Sequence, residues 1–319
     1  MKEGSKNSGM VDIEYLKHIK LVSAPLGQKL MATFFLGLNY NIFAKVDIRI
    51  ENVERIPRGE NVIFAMNHTD RFNYWPFQYK MWQMKDLPWT TVWVKGKYYR
   101  NALLAKGLDL CNLIPVPSMG YLIEEFYKKK TNRRIDKKAY RAIKDMVDGK
   151  SEVGEAPREA RDVLSALGEP FISFVKDYYE AVMERVADLS RFALFERNLN
   201  IIIFPEGTRS THLGEGRTGI AQLALHTGAK IVPVGCNNSE QIYPGSSPIA
   251  RSGRIIYRIG EPLSIDNQLK EFRITEKFNL LSKESQIKYR EQFEGVTRLV
   301  MQSINQLLDE KYRRAFSNS

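Results

Sequence analysis

The sequence predicts an α/β protein with a mixed, largely parallel central sheet flanked by helices, an N-terminal amphipathic helical segment and a helical insertion. From Lys45 onward, short runs of β-branched and aromatic residues alternate with helix-length segments, which is the pattern of parallel strands joined by crossovers. One interval between such runs, Pro117 to Leu199, is far longer than the others and carries helical patterning. Ahead of Lys45 the apolar residues recur at helical spacing rather than in alternation.

Residues 1–44 form the predicted N-terminal segment. Leu26, Leu30, Met31, Phe34, Leu38 and Ile42 make an apolar stripe flanked by Lys17, Lys20 and Lys45, the composition of an interfacial helix or helix pair. The same stripe also suits a helix packed on the protein's own core. Leu30 to Ala44 carries no charge but includes Asn39 and Asn41, and is shorter than the roughly 20 residues a bilayer crossing needs. It is expected to lie on a membrane rather than span one.

Residues 45–319 form the predicted α/β domain. Strands are expected within 46–53, 61–67, 90–96, 112–116, 200–207, 230–236 and 253–260. The helical insertion, at about 117–199, opens on a basic run of Lys128, Lys129, Lys130, Arg133, Arg134, Lys137, Lys138 and Arg141. A solvated helix face and a contact with anionic lipid both fit that run. Phe293, Val296, Val300, Ile304 and Leu307 mark an amphipathic helix closing the domain. The four tryptophans, Trp75, Trp82, Trp89 and Trp93, cluster in one stretch, where core packing, an acyl groove or an interfacial anchor would each use them.

A chain of 319 residues, 43 % hydrophobic and 27 % charged, can bury a large core. Its 48 Lys+Arg against 37 Asp+Glu give a net charge of +11, which favours partners bearing phosphate. No RNA- or DNA-binding motif accompanies that charge, so nucleic acid is not an expected partner. Cys111 and Cys236 lie far apart with no metal-ligand spacing, so reduced thiols and no metal site are expected. The polar opening stretch does not resemble a secretory leader, and an intracellular protein is expected.

Two strand ends carry the residue types that chemistry needs. The apolar run Val62 to Met66 ends in Asn67-His68-Thr69-Asp70-Arg71-Phe72-Asn73, at the kind of position where α/β proteins place their sites. His68 is one of only four histidines and sits among polar residues. Much later, Ile201-Ile202-Ile203-Phe204 gives way to Pro205-Glu206-Gly207-Thr208-Arg209-Ser210. Pro and Gly there favour a turn that exposes amides, a hydroxyl and a guanidinium together, a set of donors suited to phosphate.

In this order, the two blocks resemble those of the glycerolipid and lysophospholipid acyltransferase family, recognised by N-H-x-x-x-x-D and, downstream, F-P-E-G-T-R-S. The second block is present letter for letter from Phe204 to Ser210. Weaker agreement at Lys95-Gly96, Ile114-Pro115-Val116 and Ile231-Val232-Pro233-Val234-Gly235 extends the resemblance over roughly residues 45–262. The resemblance implies that His68 acts as general base on an acceptor hydroxyl, which attacks an acyl thioester without a Ser or Cys nucleophile. It implies further that Phe204, Pro205, Glu206, Gly207, Thr208, Arg209 and Ser210 hold the acceptor's phosphate and glycerol backbone. Arg209 would pair the phosphate, Glu206 and Thr208 would shape the pocket, and Gly207 would keep the backbone accessible. The implied enzyme belongs to phospholipid synthesis and needs no cofactor, with acyl-CoA or acyl-carrier protein as co-substrate. Its acceptor would be lysophosphatidate, glycerol 3-phosphate or a related lysolipid. Its place would be the cytoplasm, peripheral on the cytoplasmic membrane face.

The sequence departs from the family pattern at Asn73, where the motif has Asp. In a serine protease triad the same change costs ~10⁴ in rate through the wrong tautomer. Three readings follow: Asn73 holds the correct tautomer at lower activity, Asp70 takes the carboxylate role, or the protein is a catalytically degenerate lipid-phosphate binder. Asn73 is also a natural N-cap for a helix over 74–84, a role that competes for the same side-chain oxygen. A second departure is Pro117, Ser118 and Met119, where the family often places an Arg.

Overall fold

The computed structural model describes residues 10–152, 154, 156–168 and 170–315. Seven strands form, each on one of the expected runs: β1 (Val46–Glu51), β2 (Ile63–Met66), β3 (Thr90–Lys95), β4 (Ile114–Val116), β5 (Asn200–Ile203), β6 (Ile231–Asn237) and β7 (Gly253–Ile259). They make one sheet in the order β1-β7-β6-β2-β5-β3-β4. β2 runs parallel to both β5 and β6, β5 to β3, and β1 to β7, while β6 and β7 are antiparallel. Every residue of β2, β5 and β6 is buried, which is why those segments read as unbroken apolar runs instead of alternating ones. The antiparallel pair follows from its connection, which contains only the four-residue helix Ser239–Ile242 and no crossover helix to return the chain to the starting edge.

The chain divides into two compact units. The larger, residues 20–93, 108–114 and 187–319, contains β1, β2, β5, β6, β7 and the first residues of β3 and β4. Its closing helix, Arg290–Gln306, buries Phe293, Val296, Val300 and Ile304, the spacing read from the sequence.

The smaller unit, residues up to Ile19, 94–107 and 115–186, is helical. Helices Met119–Thr131, Lys137–Val147 and Arg158–Leu167 pack on one another. The first two are capped by Ser118, which accepts the Tyr121 N–H, and by Asp136, which accepts those of Lys138 and Ala139. Val11 N–H donates to the Tyr121 hydroxyl (2.8 Å) and Ile13 N–H to that of Tyr178 (3.2 Å), so the Ile13–His18 helix joins this unit. The basic run from Lys128 to Arg141 is exposed.

Within the larger unit, α-helix Leu26–Leu30 continues into π-helical turns at Met31–Leu36 and Asn39–Phe43. Ala32, Leu36 and Tyr40 face inward, whereas Leu26, Leu30, Phe34, Leu38 and Ile42 are 39–69 % exposed. An α-helix completes a turn in about 3.6 residues, so positions four apart drift steadily around it. The wider π turns oppose that drift and keep the exposed stripe on one side. Polar residues anchor the opposite side. Gln28 donates to the carbonyls of Thr90 (2.6 Å) and Cys111 (2.7 Å), and buried Asn39 bonds the backbone of Pro248 and Ala250. Among the described residues no helix is long and apolar enough to cross a membrane.

Candidate active site

The loops after β2 and β5 leave the same end of adjacent parallel strands, with Ala65 opposite Ile203. Residues 67–73 and 204–210 are therefore brought side by side, in the position where ligands meet α/β sheets. Asn67 pins the first loop to β6 from the other flank. Its amide donates to the Cys236 carbonyl (3.0 Å) and accepts the Cys236 N–H (2.7 Å).

Three contacts join the two motif loops. The His68 N–H donates to the Glu206 carboxylate (2.6 Å), and Ser210 N–H donates to the His68 carbonyl (2.9 Å). The Phe204 ring stacks on the imidazole, with centroids 4.2 Å apart and planes 22° from parallel. Glu206 is buried and also accepts the Gly214 N–H (2.7 Å). Burial pushes its carboxyl pKa up, opposed by the two N–H bonds that favour the carboxylate.

The second motif forms the turn that its Pro and Gly predict. Gly207 N–H donates to the Phe204 carbonyl (3.0 Å), with Pro205 at the second position. Gly207 adopts the left-handed region at φ +64°, which a residue with a side chain enters only at a cost. Thr208, Arg209 and Ser210 follow it at the surface.

The imidazole of His68 is partly exposed, and its Nδ1 lies 3.2 Å from Asn73 Oδ1. Asn73 is fully buried, and its side-chain N–H donates to the Asn67 carbonyl (2.8 Å). That second bond fixes the amide, because turning it over would set oxygen against a carbonyl and N–H against the ring. An acceptor thus faces Nδ1, so Nδ1 carries the proton and Nε2 keeps its lone pair. The expected helix does follow, over Tyr74–Gln83, but the expectation that the Asn73 side chain caps it is corrected. Its backbone is helical, it makes no side-chain cap bond, and its oxygen is turned to the imidazole instead.

Asp70 is buried, and its carboxylate accepts the Phe72 N–H (2.7 Å) and the Thr69 hydroxyl (3.1 Å), bracing the bend of the loop. Burial raises its pKa. Ser118, in the region where the family often has an Arg, is spent on its helix cap. Trp75, one of the clustered tryptophans, packs against Phe72 (centroids 4.5 Å apart) and edge-on to Phe35 (5.9 Å) of the N-terminal π turn. Among the described residues no group of His, Cys, Asp or Glu is arranged to hold a metal ion.

Sequence reading did not anticipate Asn67 as a two-bond clamp, the Glu206 bond to the His68 backbone, or the stacking of Phe204. Each depends on strand order, which no local pattern encodes. It also passed over Arg217, whose side chain lies against Gly207.

No curated protein matches the chain. Among solved structures it is similar to the 1-acyl-sn-glycerophosphate (LPA) acyltransferase PlsC from Thermotoga maritima, at 15 % identity and a TM-score of 0.41 over 86 % of this chain and 78 % of that one. The sequence family described as Acyltransferase matches residues 47–237, from within β1 to the last residue of β6. With that match covering more than half of its length and both strand-end loops, the chain belongs to the acyltransferase family and is an acyltransferase.

Proposed function

We propose that the protein moves a fatty acyl group from an acyl thioester, acyl-CoA or acyl-carrier protein, to the hydroxyl of lysophosphatidate, glycerol 3-phosphate or a related lysolipid. The single observation that carries the reading is the His68 imidazole held between Asn73 and Phe204, with Nε2 left as the basic nitrogen. In this mechanism Nε2 takes the acceptor's proton as its oxygen attacks the thioester carbonyl. The resulting imidazolium then protonates the departing thiolate. Asn73 holds the tautomer but contributes no counter-charge to the imidazolium. Arg209, Thr208, Ser210 and the amides of the Phe204–Ser210 turn bind the acceptor phosphate and glycerol. Glu206 acts from behind, keeping that turn against the His68 backbone.

The exposed stripe from Leu26 to Ile42, with basic residues nearby, supports a peripheral position on a membrane surface, where an acyl chain is at hand. Acyl-CoA and acyl-carrier protein, each paired with a panel of lysolipids and glycerol 3-phosphate, test the reading. Wild type is expected to yield acylated product, and His68→Ala to lose roughly 10²–10⁴-fold in rate. Equal trace product from both proteins refutes the catalytic role of His68. Lipid binding without turnover by wild type would identify a binding protein instead.

A further inference from the structure

The loop that follows the motif turn doubles back and is fastened to it. Arg217 N–H donates to the Pro205 carbonyl (2.8 Å), and Gly214 N–H to the Glu206 carboxylate (2.7 Å). The Arg217 side chain then crosses Gly207: a methyl group placed on that glycine would come within 2.9 Å of Arg217 Nε and 3.0 Å of its Cδ. Absence of a side chain at Gly207 therefore does two things, allowing the left-handed turn and admitting a second guanidinium over the motif backbone.

That guanidinium is exposed and makes no ion pair or hydrogen bond among the described residues. Some arginines of this unit are paired with carboxylates, Arg258 with Glu51 and Asp309, and Arg55 with Glu261; what sets Arg217 apart is its place over the Gly207 turn. The carboxylates near Arg217 in sequence are committed elsewhere, Glu215 to Arg314 (3.0 Å) and Glu206 to two backbone N–H groups. A positive group lying over a glycine turn, with no ion-pair partner among the described residues, has the chemistry of an anion site.

We propose that Arg217 is a second phosphate-holding residue of the acceptor site, acting with Arg209 on a phosphate seated at the Gly207 turn and favouring a phosphomonoester acceptor over a phosphodiester one. The proposal rests on the lysolipid reading given above. A phosphomonoester carries about −1.5 to −2 charges near neutral pH and offers three terminal oxygens. Two guanidinium forks match that charge, whereas a phosphodiester, with one negative charge and fewer free oxygens, leaves part of the second fork unused.

Two substitutions separate charge from packing. Arg217→Met keeps an apolar stem over Gly207 but removes the charge and the donors, and Arg217→Lys keeps the charge without the fork. Steady-state kinetics are read with lysophosphatidate and with lysophosphatidylcholine as acceptors. In parallel, calorimetry reads the affinity of a non-acylatable deoxy analogue of lysophosphatidate and of its phosphate methyl ester. For Arg217→Met, KM for lysophosphatidate and Kd for the phosphomonoester analogue are expected to rise about tenfold, the size of a lost charge-assisted contact at an exposed site. Turnover, KM for the thioester and Kd for the methyl ester should move by less than about threefold, and Arg217→Lys should recover only part of the loss, since it restores the charge without the fork. Unchanged KM and Kd in Arg217→Met overturn the proposal. An equal rise for monoester and diester overturns it as well, since that would mark a packing role. A wild type that acylates neither acceptor refutes the lysolipid reading, and calorimetry still decides Arg217.

Discussion

Restoring the family's carboxylate with Asn73→Asp tests the reasoning about the base most directly. The side chain at 73 is fully buried and its oxygen lies 3.2 Å from His68 Nδ1. A carboxylate there would sit about 5 Å from the centre of an imidazolium, and at an effective dielectric of about 20 the attraction is about 3 kcal/mol. That attraction favours the charged ring, so the imidazole keeps its proton to higher pH than in wild type. If half of the charge has developed at the transition state, about 1.5 kcal/mol appears in the barrier, roughly tenfold in rate. The base must be neutral to act, so a raised pKa moves the acid limb of the pH–rate profile to higher pH. The variant should therefore be slower than wild type at low pH and faster on the alkaline plateau, with the two profiles crossing. Stability should fall by about 1–3 kcal/mol, because the bond from Asn73 to the Asn67 carbonyl is replaced by two opposed oxygens. The assay is kcat against pH with saturating thioester, alongside urea denaturation. An acid limb that stays in place together with an unchanged plateau would refute the claim that residue 73 stands behind the base.

Further outcomes follow from burial and exposure. Leu30, Phe34 and Ile42 are 48, 67 and 69 % exposed, so changing all three to Glu should abolish flotation with phosphatidylglycerol vesicles at a stability change within about 0.5 kcal/mol per site; equal recovery of variant and wild type would exclude the stripe as the anchor. Burial holds the Asp70 pKa above its ordinary value, so as pH rises from that value the unfolded chain has already released a proton that the folded chain still keeps, and stability falls across the window. Asp70→Asn retains an acceptor for the Phe72 N–H without the ionisation, so its stability relative to wild type should increase with pH through this range and then level off; a decreasing difference, followed by urea denaturation, would contradict the burial argument.

The strands were legible in the sequence because burial on both faces writes itself as a short apolar run, as in Ile201–Ile203 and Ile231–Val234. The antiparallel turn of β7 against β6 was not legible, since strand direction depends on the connection and leaves no mark on periodicity. The apolar residues of 26–42 are legible as a helical stripe, but only packing decides which side faces out, and Ala32, Leu36 and Tyr40 take the inner one. His68 and the Phe204–Ser210 turn could be named from their place at strand ends. Sequence alone does not choose the partner of the imidazole between Asn73, which the structure sets 3.2 Å from Nδ1, and Asp70, because both lie within one short loop and only the bend of the backbone tells them apart. Arg217 had no signal of its own, being one cation among 48.

The pairing of β2 with β5 spans a sequence interval of 138 residues, the same interval bridged by the bond from His68 to Glu206. During synthesis at about 5–20 residues per second, the histidine loop would wait roughly 7–30 s for its counterpart to emerge. Closing so long an interval is entropically slow and precedes any reward from the contacts it makes. No nascent or half-renatured chain can therefore display the paired loops before the central strands have zipped together. Recovery of turnover after dilution from denaturant should lag behind recovery of helical circular dichroism, which makes enzymatic activity a reporter of long-range strand pairing.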